Sequence, residues 1–232
     1  MSLNNNFNIR RLERYLSVTY DSGATPVVVL TKSDLCSHVE SKITEAHSAA
    51  PGVDVLAISS LDEDDEAVMK YILPGKTVAF IGSSGVGKST LINKLTGTNR
   101  IATREIGNDD KGRHTTTHRE LITLQNGAFV IDTPGMRELG MWDSGDGINT
   151  AFADIEELSR ACKYADCTHT AEPGCAVLKA LADGTLDAAR LASYRKLKTE
   201  NDYAADNSRY LEAKRAKFKE IARINKSGRK YR

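Results

Sequence analysis

Apolar residues in the first half of the chain gather in short β-branched runs. The run PVVVLTKSD (26–34) predicts a buried strand that ends in a polar loop. VDVLAISS (53–60) and KTVAFIG (76–82) predict two more. HRELITL (118–124) and AFVIDTPG (128–135) flank a Gln-Asn-Gly turn and predict a hairpin. Helical patterns lie between the strands, at CSHVESKITEAHS (36–48) and DEDDEAVMKYIL (62–73). This alternation predicts an α/β domain with a mostly parallel sheet. Beyond about residue 140 the strand signal stops. DSGDGIN (143–149) reads as a loop or linker, and the remainder as helices around a cysteine cluster. Three parts are expected: an N-terminal segment (1–25), the α/β domain (26–145) and a small, mostly helical domain (146–232).

Composition adds little until charge is mapped along the chain. Hydrophobic residues make up 40% and charged residues 27% of the 232, the balance of a globular protein that can bury a core without disulfides. No run of 18 apolar residues and no apolar leader occur, so neither a membrane span nor a secretory signal is expected. A cytoplasmic monomer is the resulting expectation. The net charge of +1 conceals an asymmetry. Between Arg209 and Arg232 ten Lys/Arg face two Glu, a local +8, while the other 208 residues carry 22 Lys/Arg and 29 Asp/Glu, hence −7. Such a basic block suits an acidic partner, nucleic acid first, although a solvated helix face gives the same count.

Gly82-Ser83-Ser84-Gly85-Val86-Gly87-Lys88-Ser89 fits G-x-x-x-x-G-K-S/T between a predicted strand and a predicted helix, and Thr90 follows. Glycines let backbone N–H groups wrap phosphates without Cβ obstruction. Lys88 is expected to reach the β- and γ-phosphates and Ser89 to ligate Mg²⁺. The loop reads any nucleoside triphosphate; the base is argued from Thr31-Lys32-Ser33-Asp34 at the end of the first strand. An aspartate carboxylate accepts two parallel hydrogen bonds from guanine's Watson–Crick edge, which adenine cannot offer. Lys32 can lay its stem along the base, and Ser59-Ser60 end the neighbouring strand where backbone meets the guanine carbonyl. Asp132-Thr133-Pro134-Gly135 ends another strand and offers Asp132 to Mg²⁺ and the Gly135 N–H to the γ-phosphate. Between the two phosphate motifs lies the polar stretch GRHTTT (112–117). Thr116 is the chosen threonine to close over Mg²⁺ and phosphate, with Thr115 and Thr117 equally open. His114 is a candidate to orient the attacking water, and an exposed loop histidine accounts for it equally well.

Cys162, Cys167, His169 and Cys175 follow C-x4-C-x-H-x5-C. Three thiolates and one imidazole complete a tetrahedral zinc site with no open position, which implies a structural ion. Buried free cysteines are the plainer alternative. Cys36 stands apart, and His38 and His47 read as surface helix residues.

The nucleotide motifs resemble those of translation-factor-like GTPases in a different order, because the base motif precedes the phosphate loop. Domain termini often lie close together, so the same sheet tolerates such circular permutation. TKSDL, GSSGVGKST, GRHTTTHREL, DTPGMREL and CKYADCTHTAEPGC together resemble the RsgA/YjeQ family of small ribosomal subunit biogenesis GTPases. The resemblance implies a circularly permuted P-loop GTPase domain followed by a small helical zinc-binding domain. It also implies GTP/GDP with Mg²⁺, one structural Zn²⁺, and the small (30S) ribosomal subunit with its rRNA as partner. Two departures stand out. The OB-fold domain usual ahead of the GTPase has no counterpart in residues 1–25, and Thr31 stands where GTPases more generally carry Asn. A metabolic P-loop kinase or ATPase with a structural zinc is the rival reading, and a passive zinc RNA-binding module a third.

Overall fold

A computed structural model describes residues 1–4, 6–59, 66–97, 120–132 and 144–207. The chain divides into two compact units, one of residues 1–19 and 23–139, the other of 20–22 and 140–232.

In the first unit, β1 (Val27–Leu30) and β2 (Asp54–Ala57) pair in parallel, Val27 opposite Asp54 and Leu30 opposite Ala57. The connection runs through a short 3-10 turn (Ser33–Leu35) and α2 (Val39–Ala49). Val28 and Leu30 are buried, as alternation along a strand requires. Residues 1–3 take the other edge of β1: the Leu3 N–H donates to the Thr31 carbonyl at 2.8 Å and the Thr31 N–H to the Met1 carbonyl at 2.7 Å. Ahead of β1 lies α1 (Ile9–Asp21), where no element was expected. Its buried face carries Leu12, Tyr15 and Leu16, a helical spacing that the surrounding Asn and Arg residues obscure in the sequence.

A second sheet has the order β3 (Thr77–Ala79), β5 (Phe129–Asp132), β4 (Glu120–Thr123). β3 and β5 are parallel, and β4 and β5 form the expected antiparallel hairpin. Among the described residues the strands thus lie in two sheets where one was expected, and two of the three pairings are parallel. β1 itself is flanked by β2 on one edge and by residues 1–3 on the other. The hairpin turn is closed by the Leu124 N–H donating to the Ala128 carbonyl at 2.8 Å, with Gly127 in the left-handed region (φ 81°). Ile122 faces Val130 across this hairpin, and both enter a core with Leu91, Ile92, Val68 and Ile72. α4 (Lys88–Thr96) supplies Leu91 and Ile92, and α3 (Glu66–Met69) supplies Val68.

In the second unit, α5 (Gly145–Ala151), α6 (Ala153–Arg160), α7 (Ala176–Ala182) and a helix over 188–207 bury Ile148, Phe152, Ile155, Val177 and Leu191. DSGDGIN was expected as loop, yet α5 begins inside it, and the expected domain boundary at 145/146 falls in its first turn. Glycine-rich composition hides this helix, which is fixed from outside: the Asn201 carboxamide accepts from the Ser144 N–H at 2.7 Å. Arg190, only 7% exposed, forms a fork with Asp154 (2.8 and 2.7 Å), donates to the Ala151 carbonyl and stacks over Phe152. A bidentate pair of this kind is among the stronger polar contacts available to a small helical unit.

Candidate nucleotide site and metal centre

The chain leaves β3, winds through residues 82–87 and enters α4 at Lys88. Gly82 is buried, and a Cβ there would come within 3.2 Å of the Val86 side chain. Gly87 takes left-handed backbone (φ 93°) at the helix N-cap, a conformation that glycine alone adopts cheaply. The Lys88 ammonium donates to the Gly82 carbonyl at 2.6 Å and the Ser83 carbonyl at 2.8 Å, so the loop holds its own cation. Ser84 and Gly85 are exposed at the tip, and Ser89 and Thr90 are half-buried in the first helical turn. The first N–H groups of α4 have no side-chain cap, the arrangement that suits an anion.

The segment Thr31–Asp34, expected to read the base, closes on this loop. Lys32 is one of two non-glycine residues with positive φ (61°) among those described, which turns the chain out of β1 into the 3-10 turn of Ser33–Leu35. The Asp34 carboxylate accepts from the Ser59 hydroxyl at 2.7 Å, joining the ends of β1 and β2. The Thr31 hydroxyl donates to the Val86 carbonyl of the phosphate loop at 2.6 Å. Thr31, Lys32, Ile58, Ser59, Gly87, Thr90, Leu91 and Lys94 line one open cleft. Five of the residues expected to bind nucleotide therefore share that cleft: Thr31, Lys32, Ser59, Gly87 and Thr90. Its apolar walls Ile58 and Leu91, and Lys94, were not anticipated. Asp132 ends β5, its backbone opposite Glu120. Ser60, His114, Thr116, Gly135 and the basic tail lie outside the described residues.

The cysteine cluster lies in the second unit. The ligand atoms of Cys162, Cys167, His169 and Cys175 all fall within 4.8 Å of one another. The Cys162 and Cys175 sulfurs are 3.8 Å apart, and His169 Nδ1 is 3.5 and 3.4 Å from them. Bonds of about 2.3 Å to sulfur at a tetrahedral angle give sulfur–sulfur edges of about 3.8 Å, so the donor set fits zinc in size as well as in chemistry. Local structure explains the fit. Cys162 follows α6, Cys175 caps α7 and accepts from the Leu178 N–H, and His169 adopts left-handed backbone (φ 59°) between them. Glycine suits position 174, where the two ends of the loop pass each other with left-handed backbone (φ 76°), since a Cβ would meet the Lys163 side chain at 3.1 Å.

Ser159 is a site residue that sequence spacing did not reveal. Its hydroxyl donates to the Ile155 carbonyl at 2.8 Å and lies 3.0 Å from His169 Nε2. With its proton committed to the carbonyl, the hydroxyl oxygen accepts from Nε2–H, which leaves the Nδ1 lone pair facing the sulfurs. Burial first, then the Arg195 guanidinium, holds the imidazole below its usual pKa, the direction that favours the neutral form a ligand needs. Glu172 braces the loop by accepting from the N–H groups of Thr168, Thr170 and Ala171.

The order of elements, with the base-reading strand ahead of the phosphate-loop strand, defines a circularly permuted P-loop GTPase fold joined to a Cys₃His module. The RsgA GTPase family model matches residues 1–142, and the chain belongs to that family. It is 54% identical to a small ribosomal subunit biogenesis GTPase RsgA 2 of Lactiplantibacillus plantarum, over 91% of this chain and 60% of that protein. It is 43% identical to the protein of the same function name, RsgA, from Methanosarcina acetivorans, over 99% of this chain and 63% of that one. The chain thus spans about 60% of the length of the curated relatives it matches. Among solved structures it is similar to YloQ, described as a circularly permuted GTPase, with a TM-score of 0.63 and 29% identity over 89% of this chain and 67% of that one. YjeQ from Thermotoga maritima shares the fold with a TM-score of 0.62 at 24% identity, over 85% and 67% of the two chains.

Ser159→Ala is expected to weaken zinc binding by about 10–100-fold, the usual cost of losing a partner that orients a ligand histidine. Competition with a chromophoric chelator measures it, and an unchanged affinity would leave Ser159 no orienting role.

Proposed function

We propose that this chain binds GTP and GDP with Mg²⁺, hydrolyses GTP slowly, and assists late maturation of the small ribosomal subunit in the cytoplasm, with Zn²⁺ as a structural ion in the Cys₃His cluster. The observation that carries the nucleotide reading is the 2.6 Å bond from Thr31 to Val86, which sets the base-reading segment against the phosphate loop. A loop that wraps phosphates and a carboxylate that reads guanine act on one ligand only when held together in this way. The ribosomal part is supported by the names of the relatives and by the charge of the tail.

In this reading residues 82–87 wrap the phosphates, Lys88 neutralises charge on the β- and γ-phosphates, and Ser89, Thr116 and Asp132 hold Mg²⁺. The Gly135 N–H meets the γ-phosphate. Asp34 accepts from the guanine edge while Lys32 lies along the base, and Ser59 and Ser60 border it. Ser59 already orients the Asp34 carboxylate. Met136 directly follows the D-x-x-G motif, where Ras carries the glutamine that orients water, and a thioether cannot do so. Intrinsic turnover is therefore slow, on the order of the 10⁻⁴ per second known for Ras alone. His114 is the group assigned to orient the water once the subunit is bound.

Asp34→Asn is expected to move preference from GTP to xanthosine triphosphate, since the amide pairs with xanthine's edge. Competition among GTP, ATP and xanthosine triphosphate reads this directly, and a variant that still prefers GTP, or a wild-type chain that prefers ATP, refutes the guanine assignment. GTP hydrolysis measured with and without purified small subunits tests the rest. Stimulation is expected in the wild-type chain and its loss in His114→Ala, with GTP affinity nearly intact. Equal rates for the two proteins in both conditions would remove His114 from the mechanism. Replacing Lys214, Arg215, Lys217 and Lys219 with Ala should flatten the salt dependence of subunit binding, by about one unit of log–log slope per lost phosphate contact. An unchanged slope places the contact elsewhere.

A further inference from the structure

The segment ahead of β1 contains none of the nucleotide motifs, yet it touches both halves of the proposed site. Its first residues pair with the Thr31 backbone. Beyond them the asparagine-rich run becomes a set of local braces. Asn4 Oδ1 accepts from the Ser2 hydroxyl and the Asn6 N–H, and Asn8 Oδ1 accepts from the Arg11 N–H at the start of α1. From this frame Asn6 Nδ2 donates to the Ser83 hydroxyl at 3.0 Å. The Arg11 guanidinium donates to Asn6 Oδ1 and lies 3.4 Å from the same Ser83 hydroxyl. Ser83 is the second residue of the phosphate loop, and its carbonyl is one of the two that seat the Lys88 ammonium.

We propose that Arg11, with Asn6, is a positioning residue for nucleotide binding: the pair grips the Ser83 side chain from behind and holds the phosphate loop and Lys88 in their receptive arrangement. The proposal rests on the nucleotide reading above. A loop of glycines and serines loses considerable backbone freedom when it closes on phosphate. Bonds that fix one wall of the loop in advance remove part of that cost and appear as affinity. A single guanidinium nitrogen, Nη1, faces both acceptors, and the planar group holds its N–H bonds in fixed directions, where a lysine ammonium rotates. Arg11 does not touch the nucleotide in this scheme, since it reaches the loop through the Ser83 side chain.

The test is a double-mutant cycle on the whole chain, read by the equilibrium affinity and dissociation rate of fluorescently labelled GDP. Arg11→Ala and Ser83→Ala are each expected to weaken binding about tenfold, the loss of one charge-assisted hydrogen bond. The double variant is expected to bind no worse than the weaker single variant, because both substitutions break the same strut. Effects that multiply, or an Arg11→Ala variant that binds GDP as the wild type does, overturn the proposal. If Arg11→Ala lowers the melting temperature of nucleotide-free protein, Ser83→Ala alone decides, since it deletes only the gripped hydroxyl. Unchanged affinity there also overturns the proposal. A wild-type chain that binds neither GDP nor GTP would instead refute the nucleotide reading itself.

Discussion

A hydroxyl–carbonyl hydrogen bond, from Thr31 to Val86, sets the geometry on which the first unit's site depends. Val86 is buried, so its carbonyl has little water to turn to, and a buried acceptor left unmade costs about 1–3 kcal/mol. The bond links two segments separated by more than fifty positions in sequence, one just past β1 and the other in the loop between β3 and α4. A threonine stands here where GTPases more generally carry asparagine, and its short hydroxyl reaches the loop directly. The bond explains why permutation is tolerated. The contact requires proximity in space, and the order in which the chain delivers its two partners is immaterial.

The second unit meets a different constraint. Helices α5, α6 and α7 have seven or eight residues each, too short to persist alone in water. Their stability has to come from packing and from cross-links between elements. The Arg190 fork ties α6 to the 188–207 helix, and the Cys₃His cluster ties the end of α6 to the start of α7. α6 is thus fixed at both ends, with Ser159 on its last turn oriented towards the metal ligands. A metal held by all four donors would stabilise structure and leave no coordination position for chemistry.

Much of the site was legible in the sequence because chemistry dictates its spacing. The phosphate loop needs glycines at set positions, guanine needs an aspartate at a strand end, and a tetrahedral ion needs four donors that a short loop can bring together. The strands 26–34, 53–60, 76–82 and the hairpin were legible for the same reason, as local patterns. What escaped notice depends on long-range approach. Asn6 and Arg11 reach Ser83 across more than seventy positions, and nothing in NNNFNIRR specifies that meeting. Ser159 is an ordinary helix residue until His169 arrives beside it. α5 was missed because its glycines argue against a helix, and the asparagine that anchors its first turn comes from residue 201. The pairing of residues 1–3 beside β1 is equally long-range, and composition cannot reveal it.

The pairing of residues 1–3 with β1 has a consequence during synthesis. β1, β2, α2 and the segment that closes the β1 edge are all contained in residues 1–57. Chains are made from the N-terminus at about 5–20 residues per second, and early parts can fold before later ones exist. Among the described residues, the sheet of β1 and β2 therefore has its strand partners before the phosphate loop leaves the ribosomal tunnel. In a GTPase of unpermuted order the phosphate loop is made first and waits for the base-reading strand. Permutation here reverses that schedule, so the Thr31 hydroxyl is made before the phosphate loop it bonds.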